Sequence, residues 1–171
     1  MKNGSLEIVE LANTLVKTYG TRNPNVIADG LGIDVIPMNF KRQKGAYKVI
    51  MRNRFILIKN DLEEQMNNIV MWHEIGHDFL HRKEAIELGG FQEFSLFDMQ
   101  KNRMEYEANI FAATASLDDE ETLEYIMQGY DIGQIAMMMD SDINLVALKA
   151  DALIAQGYTF RKQEFRSDFL K

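Results

Sequence analysis

The chain has 171 residues, the size of one domain, and its 46% apolar and 26% charged residues are an ordinary globular balance that excludes a disordered chain. It has no cysteine, which excludes a disulfide framework, a thiolate zinc site and a cysteine nucleophile. A net charge of −7 disfavours broad binding to nucleic acid or anionic membranes, and no run approaches the roughly 18 apolar residues of a membrane span. We therefore expect a cytoplasmic protein with no membrane or direct nucleic-acid contact.

The first part of the chain predicts two helices and a strand. Apolar residues at helical spacing predict a helix from about residue 6 to 19, in which Glu7 and Glu10 argue against an export signal. A short helix is predicted over 25–31, and β-branched residues then predict a strand over 33–38. Pro37 indicates the end of that strand or a sheet edge.

Two further β-rich runs, 47–52 and 55–59, are split by Asn53-Arg54 and predict a tight hairpin. Alternation in the first run predicts that Lys48 and Arg52 face water. The residues of that run predicted to face inward are Tyr47, Val49 and Met51.

Helices dominate the rest of the chain. The strongest is predicted over 60–82, with Asp61 as N-cap and Glu64 three residues later in a capping-box arrangement. Residues 84–102 read as loop with a short helix, and the further helices are predicted over 102–117, over 118–129 and as a pair within 131–156. The elements predict a mainly helical α+β fold with a core over 1–117 and a C-terminal helical region over 118–171 packed on it.

All three histidines lie in the motif HEIGHDFLH, at successive four-residue spacings on the strongest helix. His73 and His77 therefore share one helix face and can reach one ion, while Glu74, about 100° away, flanks the ion and can accept a proton from a water that zinc activates. A chance match is the alternative, since His and Glu also occur as solvated helix residues. His81 lies roughly 12 Å along the axis from His73, so we predict that it packs or hydrogen-bonds at the helix end.

A catalytic zinc needs a third protein ligand, which here must be Asp or Glu. Glu105 and Glu107 lie on the helix predicted over 102–117, but at about 200° apart only one can face the site. Asn109 shares a face with Glu105 and could orient a ligand histidine. Either Glu could instead be an ordinary solvated side chain.

HEIGHDFLH, followed 28 residues after His77 by EYEANIFAA, resembles the ImmA/IrrE metallopeptidase family. The resemblance rests on Glu105, Ala108, Phe111 and Ala112 together with the histidine motif. It implies a zincin-like domain of the gluzincin type with one catalytic Zn²⁺ held by His73, His77 and Glu105. It also implies that the C-terminal helices resemble a helix-turn-helix, which their few basic residues make unsuited to DNA.

The resemblance further implies a protease that cleaves a helix-turn-helix (Xre-like) repressor and so releases phage, integrative-element or stress genes. We predict Glu74 as the catalytic base, and Lys48, Arg52 and Tyr106 as candidates for substrate contact. The alternative is an anti-repressor or protein-binding module that works by sequestration and holds a structural metal or none.

Overall fold

The computed structural model describes residues 2–89 and 103–160, which form eight helices and a three-stranded sheet. This confirms the mainly helical α+β fold. In chain order the elements are α1 (Lys2–Tyr19), α2 (Pro24–Leu31), β1 (Ile33–Met38), β2 (Gly45–Ile50), β3 (Asn53–Lys59), α3 (Glu64–Leu80), α4 (Arg82–Leu88), α5 (Arg103–Ser116), α6 (Asp119–Met127), α7 (Ile132–Met138) and α8 (Ile143–Ala155).

The sheet has the order β1-β3-β2, with β1 parallel and β2 antiparallel to the central strand β3. Strand β1 matches its predicted range, and Pro37 lies in an edge strand as predicted, where its missing N–H removes no ladder hydrogen bond from the sheet centre. The other edge is β2, whose residue Tyr47 pairs with Ile56 of β3.

The predicted position of the hairpin turn was wrong by two residues. The turn is formed by Met51 and Arg52, both with positive φ (49° and 70°), which matches the primed two-residue turns that suit twisted hairpins. Met51 is consequently 91% exposed and not inward-facing, while Tyr47 is fully buried as predicted.

Helix α3 begins later than predicted. Its N-cap is Glu63, without a side-chain capping bond, whereas the predicted cap Asp61 forms an ion pair with Lys59 at 2.7 Å. The carboxylate of Asp61 therefore binds a neighbouring ammonium in place of the helix N-terminus. From Ile69 to Asp78 every residue of α3 is buried, because the helix lies between the sheet on one side and α5 on the other.

Helix α5 packs against α1, α3 and α8, so it brings the first and last described helices into one core. Helices α6, α7 and α8 begin at the capping side chains of Asp118, Asp131 and Asp142. The fully buried Lys149 of α8 pairs with Asp119 of α6. The division of the chain at 117/118 stays a prediction, and the expectation of loop within 90–102 lies outside the described residues.

None of the helices that the structure describes combines the length and apolar character that crossing a bilayer requires.

Candidate metal centre

The histidine motif and Glu105 come together because α3 and α5 approach closely. A methyl group at Gly76, between the two histidines in sequence, would lie 3.2 Å from the Cα atom and the carbonyl oxygen of Ala108. The two small residues therefore set the separation of the helices, and one turn before Ala108 the chain carries Glu105. Trp72 and Phe111 pack nearby with ring centroids 6.5 Å apart.

Three potential ligand atoms form a small triangle. His73 Nε2 lies 3.0 Å from His77 Nε2 and 3.1 Å from Glu105 Oε2, and the third side, His77 Nε2 to Glu105 Oε2, is 3.5 Å. Tetrahedral zinc with ligands at about 2.0–2.1 Å places neighbouring ligand atoms roughly 3.3–3.4 Å apart, so the residues fit this ion. Within the described parts of the chain, these three side chains are the group of three or more His, Asp or Glu residues that could hold a metal.

The protonation state of the triangle also suits a cation. Burial lowers the pKa of His77 to about 4, so the imidazole is neutral at physiological pH. Burial raises the pKa of Glu105, but the contacts with the rings of His73 and His77 outweigh burial and hold that pKa below its ordinary value. Two histidines and one carboxylate are a donor set typical of catalytic zinc.

Asn109 contacts His73 as the sequence analysis expected of a residue that orients a ligand. Asn109 Oδ1 lies 2.8 Å from His73 Nδ1, and both side chains are buried. An amide oxygen only accepts hydrogen bonds, so Nδ1 carries the proton and the lone pair of His73 is on Nε2, facing the triangle.

His81 lies at the end of α3 and is 4% exposed. Its Nδ1 is 3.1 Å from His77 Nδ1, and its Nε2 is 3.1 Å from Glu107 Oε2. Helix spacing alone left open which of Glu105 and Glu107 faces the histidine pair, and the family resemblance implied Glu105. The structure places Glu105 beside both rings and Glu107 beside His81. The contact between Glu107 and His81 was not predicted, and the signal for it was the third histidine one turn after His77.

Glu74 is fully buried, and its carboxylate lies against the backbone at the start of edge strand β2. A methyl group at Gly45 would come within 2.5 Å of Glu74 Oε1 and 2.6 Å of Val70 Cγ1. The absence of a side chain at Gly45 therefore provides the space that this carboxylate occupies.

A buried carboxylate directly after His77 ties α3 to the sheet. Asp78 accepts hydrogen bonds from Tyr47 Oη at 2.6 Å, Arg54 Nη1 at 2.9 Å and Arg82 Nη2 at 2.8 Å. Arg54 also donates to the carbonyl of Leu31. Burial, followed by the hydrogen bond with Asp78, raises the pKa of Tyr47, so its hydroxyl stays protonated as a donor. We call these four side chains (Tyr47, Arg54, Asp78, Arg82) the Asp78 clamp; sequence reasoning did not predict it.

The candidates for substrate contact lie on the β2–β3 hairpin and on α5. Lys48 is half-buried on β2, Arg52 is exposed in the hairpin turn, and Tyr106, on α5 next to Glu105, is 36% exposed. Their role stays a prediction.

Comparison with known proteins agrees with this geometry. A family model described as IrrE N-terminal-like domain, of a peptidase family, matches residues 28–139, which include all three residues of the triangle. The chain is 34% identical to Uncharacterized immunity region protein 2 of Bacillus phage phi105 over 136 residues, 79% of this chain and 84% of the relative. It is 30% identical to Metallopeptidase ImmA of Bacillus subtilis (strain 168) over 126 residues, 72% of each chain. The chain therefore belongs to the ImmA/IrrE family of metallopeptidases.

Proposed function

We propose that this chain is a zinc-dependent metalloendopeptidase that cleaves a helix-turn-helix repressor at a specific peptide bond. The observation that carries the proposal is the triangle of His73, His77 and Glu105, with sides of 3.0–3.5 Å, which α3 and α5 form together. Helix α3 also carries the buried Glu74, directly after His73. A single Zn²⁺ held there would supply Lewis acidity and lower the pKa of a coordinated water towards about 7.

The side chains have separate roles in this mechanism. Glu74 accepts the proton of the attacking water and then donates it to the leaving amine, as a general base followed by a general acid. Its fully buried carboxylate is shielded from bulk water, which would otherwise compete for that proton. Asn109 keeps the Nε2 lone pair of His73 directed at the triangle.

A protein substrate is favoured over DNA by the charge of the C-terminal helices. Between 118 and 160 the single basic residue is Lys149, which is fully buried and paired with Asp119. No cation of these helices is therefore exposed to neutralise phosphates. The name of the phage relative refers to an immunity region, which supports a repressor of phage or integrative-element genes as the substrate.

The decisive test is incubation with the repressor encoded beside this gene, with and without chelator, followed by mass spectrometry of the fragments. We expect one major cleavage that EDTA abolishes and zinc restores. Glu74→Gln should lower the cleavage rate by roughly 10²–10⁴-fold while zinc and repressor binding persist. Glu63→Gln, at the exposed start of the same helix, is the matched control. A Glu74→Gln protein that still relieves repression in the cell would instead identify a sequestering anti-repressor.

Substrate contact by the hairpin is tested by reversing charge at Lys48 and Arg52. We propose that these cations bind an acidic surface of the repressor, and that β2 as an edge strand pairs with an extended segment of it. The double Glu variant should raise KM with little change in kcat. Lys17→Glu with Lys83→Glu, both at exposed positions, changes the net charge equally and should leave KM unaltered. Equal KM values for the two double variants would remove the hairpin from the substrate site.

A further inference from the structure

A chain of hydrogen-bonding groups leads from the surface to His77. The Nε of exposed Arg103 donates to Glu107 Oε1 at 2.6 Å, and Glu107 Oε2 lies 3.1 Å from His81 Nε2. The other ring nitrogen of His81 lies 3.1 Å from Nδ1 of His77. His77 and His81 are 1% and 4% exposed, so bulk water has little access to this contact.

The chemistry of the groups fixes the direction of each hydrogen bond. A carboxylate only accepts, so His81 must donate from Nε2 to Glu107. A neutral imidazole carries one proton, which leaves His81 Nδ1 as an acceptor. His77 must then donate from its own Nδ1, and its lone pair is left on Nε2, the atom 3.0 Å from His73 and 3.5 Å from Glu105.

We propose that Glu107 and His81 are positioning residues that fix the tautomer and ring orientation of His77 so that its Nε2 presents a lone pair to the metal. This inference rests on the proposed function, in which His77 is a ligand. His73 and His77 are thus oriented by different devices, an amide on α5 for the first and a histidine–carboxylate pair for the second. Helix α5 carries both carboxylates. Glu105 is the candidate metal ligand, and Glu107, two residues later, acts on His77 through His81.

The tautomers can be observed directly because the chain has three histidines. In metal-free protein with ¹⁵N-labelled histidine at pH 8, we expect protons on Nδ1 of His73 and His77 and on Nε2 of His81. His81→Phe preserves a ring of similar size without an acceptor, and it should shift His77 towards a mixture of tautomers. His81→Asn places an amide oxygen near the position of Nδ1, so it should restore the wild-type tautomer. The His73 signal, held by Asn109, reports in each spectrum whether the fold is intact.

Zinc affinity gives a second readout that does not need a substrate. Competition with a chromogenic chelator should show a 10- to 100-fold weaker Kd for His81→Phe and Glu107→Ala, the usual effect of removing a group that orients a ligand. Glu107→Gln keeps an oxygen that accepts from His81 and should stay within about threefold of wild type. Glu87→Ala, at an exposed position of α4, is the matched control.

A proton on Nε2 of His77 in the wild type would overturn the inference. So would a His81→Phe protein with the wild-type His77 tautomer and the zinc affinity of the Glu87→Ala control. Expected tautomers in a protein that binds no zinc would refute the proposed function and leave the assigned hydrogen-bond chain supported.

Discussion

Gly45 offers a way to move the Glu74 carboxylate without altering any candidate metal ligand. A methyl group at this position would lie 2.5 Å from Glu74 Oε1 and 2.6 Å from Val70 Cγ1, whereas ordinary van der Waals contact begins at about 3.4 Å. Gly45 has no positive φ, so alanine fits its backbone. Gly45→Ala must therefore displace the carboxylate by roughly 0.9 Å, with a similar shift of the valine methyl.

A misplacement of about 1 Å in a reacting group can cost roughly 100-fold in rate, equivalent to about 2.7 kcal/mol in the activation free energy. We expect Gly45→Ala to lower kcat for repressor cleavage by about this factor. The cost to folding should be about 1 kcal/mol, at the low end for overpacking, because both displaced atoms are ends of side chains. Zinc affinity should not change, because the three atoms nearest to that methyl group belong to Glu74 and Val70 and none belongs to a candidate ligand.

The assay is initial-rate cleavage of the repressor at saturating substrate, with zinc content and Tm measured on the same samples. Gly4→Ala is the matched control, since a methyl group there meets nothing within 4 Å. Wild-type kcat in Gly45→Ala would refute the assignment of Glu74 as the base held in this space. Loss of zinc together with activity would show that the clash spreads to the metal centre, and it would contradict the expected unchanged zinc affinity.

Three other perturbations test the clamp, the metal centre and a helix cap. Asp78→Asn removes the buried charge shared by two arginines. Urea denaturation should show a free energy of unfolding lower by about 3 kcal/mol, the low end for a broken buried pair because both arginines are partly exposed. An unchanged urea midpoint would contradict the role of the Asp78 clamp. Zinc at 100 times its Kd should stabilise metal-free protein by about 2.7 kcal/mol and EDTA should reverse this, so a Tm insensitive to both would count against a metal centre. The backbone N–H of Glu121, and after it Arg22, hold the pKa of Asp118 below its ordinary value, so this carboxylate stabilises the fold above its unfolded pKa and the contribution fades as the pH falls through the folded pKa. Lowering the pH from 7 to about 3 should therefore reduce Tm less in Asp118→Asn than in the wild type. An equal reduction of Tm in the two proteins would refute this account.

Sequence patterns were sufficient for the parts of the fold that depend on local periodicity. Strand β1 follows from its β-branched residues, and the end of helix α2 follows from Gly32, its C-cap with positive φ. The spacing of His73 and His77 predicted a shared helix face, and the structure places their Nε2 atoms 3.0 Å apart. These features need no knowledge of which distant residues meet.

The wrong cap prediction and the contacts that were not predicted involve side chains with a competing partner or with a partner far away in sequence. Asp61 had the right spacing for a cap, but the ammonium of Lys59 binds its carboxylate. The contact between Glu107 and His81 joins residues 26 apart, and its formation depends on the crossing of α3 and α5 at Gly76. Sequence spacing along one helix carries no information about that crossing.

The inward side and the tip of the β2–β3 hairpin differ in how well they tolerate substitution. Its inward side carries Tyr47 and Arg54, which are bound to Asp78 beside the histidine motif, so changes there disturb the fold. Its tip carries Met51 and Arg52 in open solvent, where substitutions cost little stability. Under the proposed contact between hairpin and repressor, a change of substrate specificity therefore requires mutations only at the tip, which leave the fold and the metal centre unaltered.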